Sequence, residues 1–351
     1  MRAVSQRRDR HGQRRFLIET LLCYLFLACR VLPVSRFSTL FVAFITLAAV
    51  SQAHAEVRVL TSIKPLQQIA AAVQEGVGKP EVLLPPGASP HHYALRPSDV
   101  RRVGDADLLY WIGPDMENFL PRVLGTRSKP SVAVQALPNM QLRHFGEDSH
   151  SHEHAHEHAD ADADAHEGHD EHDHDHRPGS LDAHLWLSTV NARVIAGRMA
   201  QDLAAADPAN AARYQSNLQA FSKRLDDLDQ RIKARVAAVA GKPYFVFHEA
   251  FDYFEAAYGL KHTGVFSVAS EVQPGAQHVA AMRKRLQEVG KTCVFSEPPL
   301  RPRLAETLTA GLPVTLAELD ALGGTEPADA HGYERLLENL GNDLAGCLEK
   351  L

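Results

Sequence analysis

Ten of the chain's 20 histidines fall within residues 150–176: His150, His152, His154, His156, His158, His166, His169, His172, His174 and His176. They alternate with ten Asp or Glu residues, and the stretch contains no Lys or Arg. Imidazole suits zinc, copper or nickel better than calcium or magnesium. Interleaved with carboxylates, it offers many weak, overlapping sites in a negative field that concentrates cations. The bland alternative is a solvating spacer, which does not account for so many histidines. Apart from this run, four residues are candidates to hold a single ion: His91, His184, His248 and Asp320. Three imidazoles with one oxygen donor form a zinc-like set.

Those four residues draw their interest from the elements that must carry them. His248 directly follows an apolar run, Tyr244–Phe247, which reads as a strand leading into a helix. Ligands of open α/β sheets lie beyond the carboxyl ends of strands, so His248 belongs at that rim. The alternative is a histidine capping the helix. His91 lies in the turn-rich Gly87-Ala88-Ser89-Pro90-His91-His92-Tyr93, after a strand ending at Leu84, and has the alternative of a plain surface loop. His92 beside it is read as a bystander. His184 follows Asp182, a candidate acceptor for an imidazole N–H, and precedes Trp186, a candidate water shield. Asp182 and His184 read equally as polar groups of a turn. Asp320 follows the strand Val314–Ala317 and fits a helix N-cap as well as it fits a ligand.

From Val57 onward, short apolar runs alternate with helix-like segments, the pattern of parallel sheets flanked by helices. In the first half, Val57–Ser62, Glu81–Leu84, Asp107–Ile112 and Ser131–Ala136 read as strands, with helices over Pro65–Val77 and Pro97–Val103. In the second half, Tyr244–Phe247, Gly264–Val268, Thr292–Phe295 and Val314–Ala317 read as strands. Glu249–Tyr258, Ala276–Val289, Arg303–Ala310 and Tyr333–Leu348 read as helices there, with Glu249 taken to cap the first of them. Between the halves, Leu218, Phe221, Leu225, Leu228 and Ile232 recur at steps of three and four, predicting a long helix from about Asn210 to Val239, started afresh after Pro208. The fold class is therefore α/β: two (β/α) Rossmann-like lobes with parallel sheets, each with its own apolar core, joined by a long helix. The boundaries are 56–207 for the first lobe, 208–240 for the linker helix and 241–351 for the second lobe. Residues 144–178 form an inserted loop, expected to be disordered because it has almost nothing apolar to bury.

Residues 1–55 read as a targeting segment. Arg36 precedes an apolar run, Phe37 to Val50, and Ala53-His54-Ala55 supplies a cleavage signal that leaves Glu56 as the mature start. A second apolar run, Phe16 to Cys29, is short for a membrane span and carries Glu19; translation starting near Val31 or Val34 would give a signal of ordinary length. The net charge of −6 hides an arginine-rich N-terminus and an acidic loop, and the remainder is close to neutral, which argues against nucleic acid as a partner. Only Cys293 and Cys347 remain after cleavage, and an even pair in an exported chain reads as a disulfide, with two buried thiols or cysteine zinc ligands as alternatives.

Taken in order along the chain, five motifs resemble a known family. They are Gly87-Ala-Ser-Pro-His-His-Tyr-Ala-Leu-Arg-Pro-Ser-Asp99, Asp182-Ala-His-Leu-Trp-Leu187, Phe247-His-Glu-Ala-Phe-Asp-Tyr-Phe254, Val294-Phe-Ser-Glu-Pro298 and Leu319-Asp-Ala-Leu-Gly323. From about Val57 to Leu351 the chain resembles the zinc-specific, ZnuA-like substrate-binding proteins of bacterial ABC importers. The resemblance implies two lobes on a rigid helix, with the metal between them. It places ligands on His91, His184 and His248, and on Asp320 in the manner of some members. A His-rich acidic loop and a C-terminal disulfide are likewise features of zinc-type members. Certain members carry an acidic residue just before the first ligand histidine; Pro90 stands there in this chain, leaving Asp320 or water as the fourth donor.

The expectation is a periplasmic, non-enzymatic protein that acts as a monomer, binds Zn2+ as its transported ligand and delivers it to an ABC importer membrane permease. Two other readings are a secreted zinc hydrolase, with Glu249 or Glu297 as general base, and a zinc buffer or chaperone acting through the loop. The hydrolase reading lacks an HExxH helix or a comparable paired-ligand motif.

Overall fold

The computed structural model describes residues 56–146, 179–267, 276–298 and 303–351. The targeting segment and the ten loop histidines lie outside the described residues. Within them, the repeated alternation resolves into two four-stranded parallel sheets. The first is built from β1 (Val59–Thr61), β2 (Glu81–Val82), β3 (Leu108–Trp111) and β4 (Ser131–Ala133), in the order β2-β1-β3-β4. The second contains β5 (Tyr244–His248), β6 (Gly264–Ser267), β7 (Thr292–Ser296) and β8 (Val314–Glu318), in the order β6-β5-β7-β8. The same winding thus occurs twice. The central strands β1, β3, β5 and β7 are buried along their whole length, because helices cover both faces of a parallel sheet; their uninterrupted apolar runs reflect that.

Helices α1 (Lys64–Val73), α2 (Pro97–Asp105) and α3 (Pro121–Leu124) connect the strands of the first sheet. α4 (Thr189–Ala206) and α5 (Ala211–Val236) follow, separated by a 3-10 turn at Pro208–Asn210 where proline interrupts the helical hydrogen-bond ladder. α6 (Asp252–Tyr258), α7 (Ala276–Val289), α8 (Arg303–Thr309) and α9 (Gly332–Leu348) complete the second lobe. Among the described residues, no helix is long and apolar enough to cross a membrane.

α5 has 26 residues, a length of about 39 Å. Its stripe of Tyr214, Phe221, Leu225, Leu228, Ile232 and Val236 is buried. Near its start, Asn217 Nδ2 donates to the carbonyls of Val73 and Glu75 in the first lobe, each at 2.9 Å. Further along, Arg224 pairs with Glu334 and Arg231 with Glu338 on α9. One helix is therefore fastened to both lobes.

The expectation of a separate core in each lobe is corrected by the packing. The larger apolar core runs from Leu60 and Leu109 of the first sheet, through α1, α4, α5 and α9, to Tyr244, Val246 and Phe295 of the second. Among the described residues, a smaller cluster around Phe245, Phe247, Phe266, Leu286, Val294 and Leu308 belongs to the second lobe alone. The apolar faces of the central helices have no other surface to bury against, and they weld the lobes at the back.

Smaller differences are local. Val134–Ala136, expected as the end of a strand, is a 3-10 turn. The helix expected from Glu249 begins at Asp252 with Phe251 at its N-cap, so Glu249 lies in the preceding bend and does not cap it. Cys293 in β7 and Cys347 in α9 form a disulfide, and both are buried.

Candidate metal centre

The winding order 6-5-7-8 places the switch point of the second sheet between β5 and β7, where crossovers leave in opposite directions and a crevice opens. His248 is the last residue of β5, and Glu297 follows the last residue of β7. The two face each other across that switch point, with His248 Nδ1 2.8 Å from Glu297 Oε1.

His184 arrives by a different route. Residues 143–145 pair with residues 179–182: His144 bridges Leu181 antiparallel, Phe145 N–H donates to Ser180 O, and Asp182 N–H donates to Arg143 O at 2.9 Å. This stem closes the base of the inserted segment and delivers the chain directly to Asp182-Ala183-His184. Asp182 Oδ1 then accepts the backbone N–H of His184 at 2.9 Å and lies 2.8 Å from its Nδ1, a turn that an aspartate makes with the residue two places on. Burial pushes the Asp182 carboxyl well above the ordinary carboxylate range; the His184 backbone N–H opposes that, and the charges of Asp252 and Glu249 add to it.

His91 is supplied by the first lobe, from the loop after β2, and its backbone N–H donates to Ser89 Oγ. His92 is exposed, as its bystander reading requires, though it lines the rim of the same cleft.

The three imidazoles converge. Their ring centroids are separated by 5.4 Å (His91 to His184), 5.3 Å (His91 to His248) and 5.0 Å (His184 to His248), and each residue is at most 4% exposed. One donor atom from each lies within 4.8 Å of the others. Tetrahedral zinc at its usual bond lengths brings ligand nitrogens to about 3.4 Å of one another, so an inward movement of roughly 1 Å suffices to enclose an ion. The cleft around them has a volume of about 530 Å³, with room for an ion and attached water.

Asp320 follows β8 and lines the cleft, but it does not stand with the three histidines. Its Oδ1 accepts the N–H of Leu322 at 3.0 Å and its Oδ2 that of Gly324 at 2.7 Å. The loop it organises is fixed from the opposite lobe, where Lys64 Nζ donates to Gly324 O at 2.8 Å and Trp186 Nε1 to Ala321 O at 2.8 Å. Trp186 also packs its ring against His184, with centroids 5.3 Å apart.

Sequence reasoning missed the carboxylate behind His248, having weighed Glu297 only as a general base. Its place after a strand adjacent to β5 was the available signal. The cross-lobe bonds of Lys64 and Trp186 had none, since they join backbone carbonyls some 135 to 260 positions away.

Two doubly wound sheets, a helical spine and a cleft lined by convergent imidazoles define a two-lobed solute-binding protein. The sequence profile of the periplasmic zinc-uptake complex component A matches residues 59–347, and the chain belongs to that family. It is 38% identical over 306 residues to the high-affinity zinc uptake system protein ZnuA of Brucella suis, covering 83% of this chain and 92% of the relative. The protein of the same name from Yersinia pestis is 38% identical over 296 residues, covering 84% and 92%. Among solved structures, a ZnuA crystal structure superposes with a TM-score of 0.67 at 20% identity, covering 84% of this chain and 100% of the other. FpvC of Pseudomonas aeruginosa in complex with Mn2+ gives 0.66 at 20% identity, covering 84% and 99%. These likenesses define the fold.

Proposed function

We infer that this chain captures a zinc ion on His91, His184 and His248 outside the cytoplasm and delivers it to the permease of an ABC-type importer. The observation that carries this reading is the convergence of three buried imidazoles, two of them with Nδ1 against a carboxylate. A carboxylate that accepts the Nδ1 proton fixes the tautomer and leaves the Nε2 lone pair for the ion. The names of the relatives support zinc as the cargo and uptake as the task.

The ligands also suit release. His91 belongs to the first lobe, His248 to the second, and His184 to the segment between the inserted loop and α4. A permease that displaces one lobe on docking separates the donors and lowers affinity without any chemical step. Glu297 orients His248, which supports binding over hydrolysis as its role. Both oxygens of Asp320 serve its own loop, which favours water as the fourth donor. Ala53-His54-Ala55 supports export to the periplasm. The loop histidines act as a dispensable antenna, and the chain works as a monomer.

Transport is tested by loading the mature chain with radioactive zinc and adding it to vesicles containing the importer and ATP. Accumulation inside the vesicles is expected. Zinc that stays on the chain, with the importer active toward another zinc donor, would contradict delivery.

A further inference from the structure

A second convergence of ligand-type side chains lies on the second lobe, and none of its members lines the cleft. Glu249, Asp252 and His262 bring donor atoms within 4.8 Å of one another. Local structure explains how. β5 ends at His248, and the bend after it sets Glu249 beside the start of α6. Asp252 and Glu255 both stand in the first turn of α6, three residues apart, so they lie on one face. Gly259 ends the helix at φ 69°, a left-handed conformation that costs glycine little, and Leu260 N–H donates to Glu255 O at 2.9 Å. The chain folds back, and His262 meets the acidic face of the helix. His262 Nδ1 is 2.9 Å from Glu255 Oε2 and 3.8 Å from Asp252 Oδ1.

Two independent features point to a cation. First, the imidazole is held as the cleft imidazoles are: Glu255 stands behind His262 Nδ1 as Asp182 stands behind His184 and Glu297 behind His248. Glu255 is itself buried and fixed by the hydroxyl of Tyr244 at 2.5 Å. With Nδ1–H donated to Glu255, Nε2 is left as the ligand nitrogen. Second, three carboxylates meet at one imidazole. Glu249, Asp252 and Glu255 gather at the imidazole of His262. Carboxylates gathered at low solvent exposure repel one another unless a cation joins them.

We propose that Glu249, Asp252 and His262 form a second divalent-metal site, weaker than the cleft and next in the chain to His248. Two carboxylates and one imidazole suit zinc or manganese, and make a harder donor set than three imidazoles. The imidazole and Asp252 side chains are 14% and 19% exposed, so an ion reaches them directly from solvent. The site adjoins the stem of the inserted segment: Tyr253 Oη accepts the backbone N–H of Arg143 and donates to Asp182 O, both at 2.9 Å. The site stands on its own residues, whether or not the cleft takes zinc.

The test uses the mature chain with residues 147–178 replaced by a short Gly-Ser linker, titrated with zinc. A strong chelator in competition reads the cleft, and a weaker indicator reads the second equivalent. Two equivalents are expected. Asp252→Asn and His262→Gln should each weaken the second by about tenfold or more while sparing the first. Anomalous diffraction at the zinc edge from the linker-bearing chain, unsubstituted at these residues, then places the ion, a readout that needs neither variant to fold. A peak among Glu249, Asp252 and His262 supports the proposal. A cleft peak alone, or a second equivalent untouched by both substitutions, overturns it.

Discussion

Asp182 Oδ1 lies 2.8 Å from His184 Nδ1, and the carboxylate is fully buried. The pair stands one step behind the convergence of the three histidines, and it sets how His184 presents its other nitrogen. Asp182→Asn keeps the size and one carbonyl oxygen but replaces the other oxygen with an NH2 group, which cannot accept the N–H at Nδ1. Zinc affinity should fall by about 10- to 100-fold, with circular dichroism unchanged. Glu297→Gln, at a more exposed carboxylate, should cost less. Equal affinity in Asp182→Asn and the parent would show that the pair only closes a turn.

Asp320 spends both oxygens on its own loop. Asp320→Asn keeps one of those bonds, and the cross-lobe bonds of Lys64 and Trp186 still hold the loop. If water supplies the fourth donor, this substitution weakens zinc by less than about tenfold, well short of removing a histidine. A loss as large as that of a histidine variant would make Asp320 a ligand. Isothermal titration of the three single-histidine variants and Asp320→Asn, side by side, decides it.

Glu117 is buried beside the carboxyl ends of β1 and β3, where its Oε2 accepts the N–H of Gly113 at 3.1 Å. Burial pushes its carboxyl up to about 7, opposed by the backbone N–H of Gly113. In the unfolded chain it ionises near 4.5. Between these values the folded state keeps a proton that the unfolded state has lost. The resulting stability is complete below pH 4.5 and is lost as pH rises to about 7, amounting to up to roughly 3 kcal/mol. Glu117→Gln should flatten this part of the pH profile, so the metal-free variant gains melting temperature on the parent at pH 8 relative to pH 5. Parallel profiles would show that the carboxyl is already ionised in the fold.

The sequence made the repeated sheets legible because parallel strands buried on both faces must be apolar throughout, as Tyr244–Phe247 and Thr292–Phe295 are. His248 was legible for the same reason, standing where such a run stops. The long helix announced itself through Phe221, Leu225, Leu228 and Ile232. What sequence did not show was that this helix welds the lobes into one main core, since a stripe of apolar residues does not say how many partners it has. Asp320 was equally plausible as a cap and as a ligand, and only its hydrogen bonds to Leu322 and Gly324 show what its oxygens do. The cluster at His262 was hidden because Gly259 turns the chain back onto α6, bringing together residues that no motif joins.

The central claim is that three single histidines, and not the loop, make the tight site. Competition of zinc between the mature chain and a strong chelator, repeated with His248→Ala and with residues 147–178 removed, tests it most directly. The account requires His248→Ala to lose about a thousandfold or more in affinity while the loop deletion keeps one tight equivalent. Undiminished tight binding in His248→Ala, or its loss when the loop is removed, would contradict it.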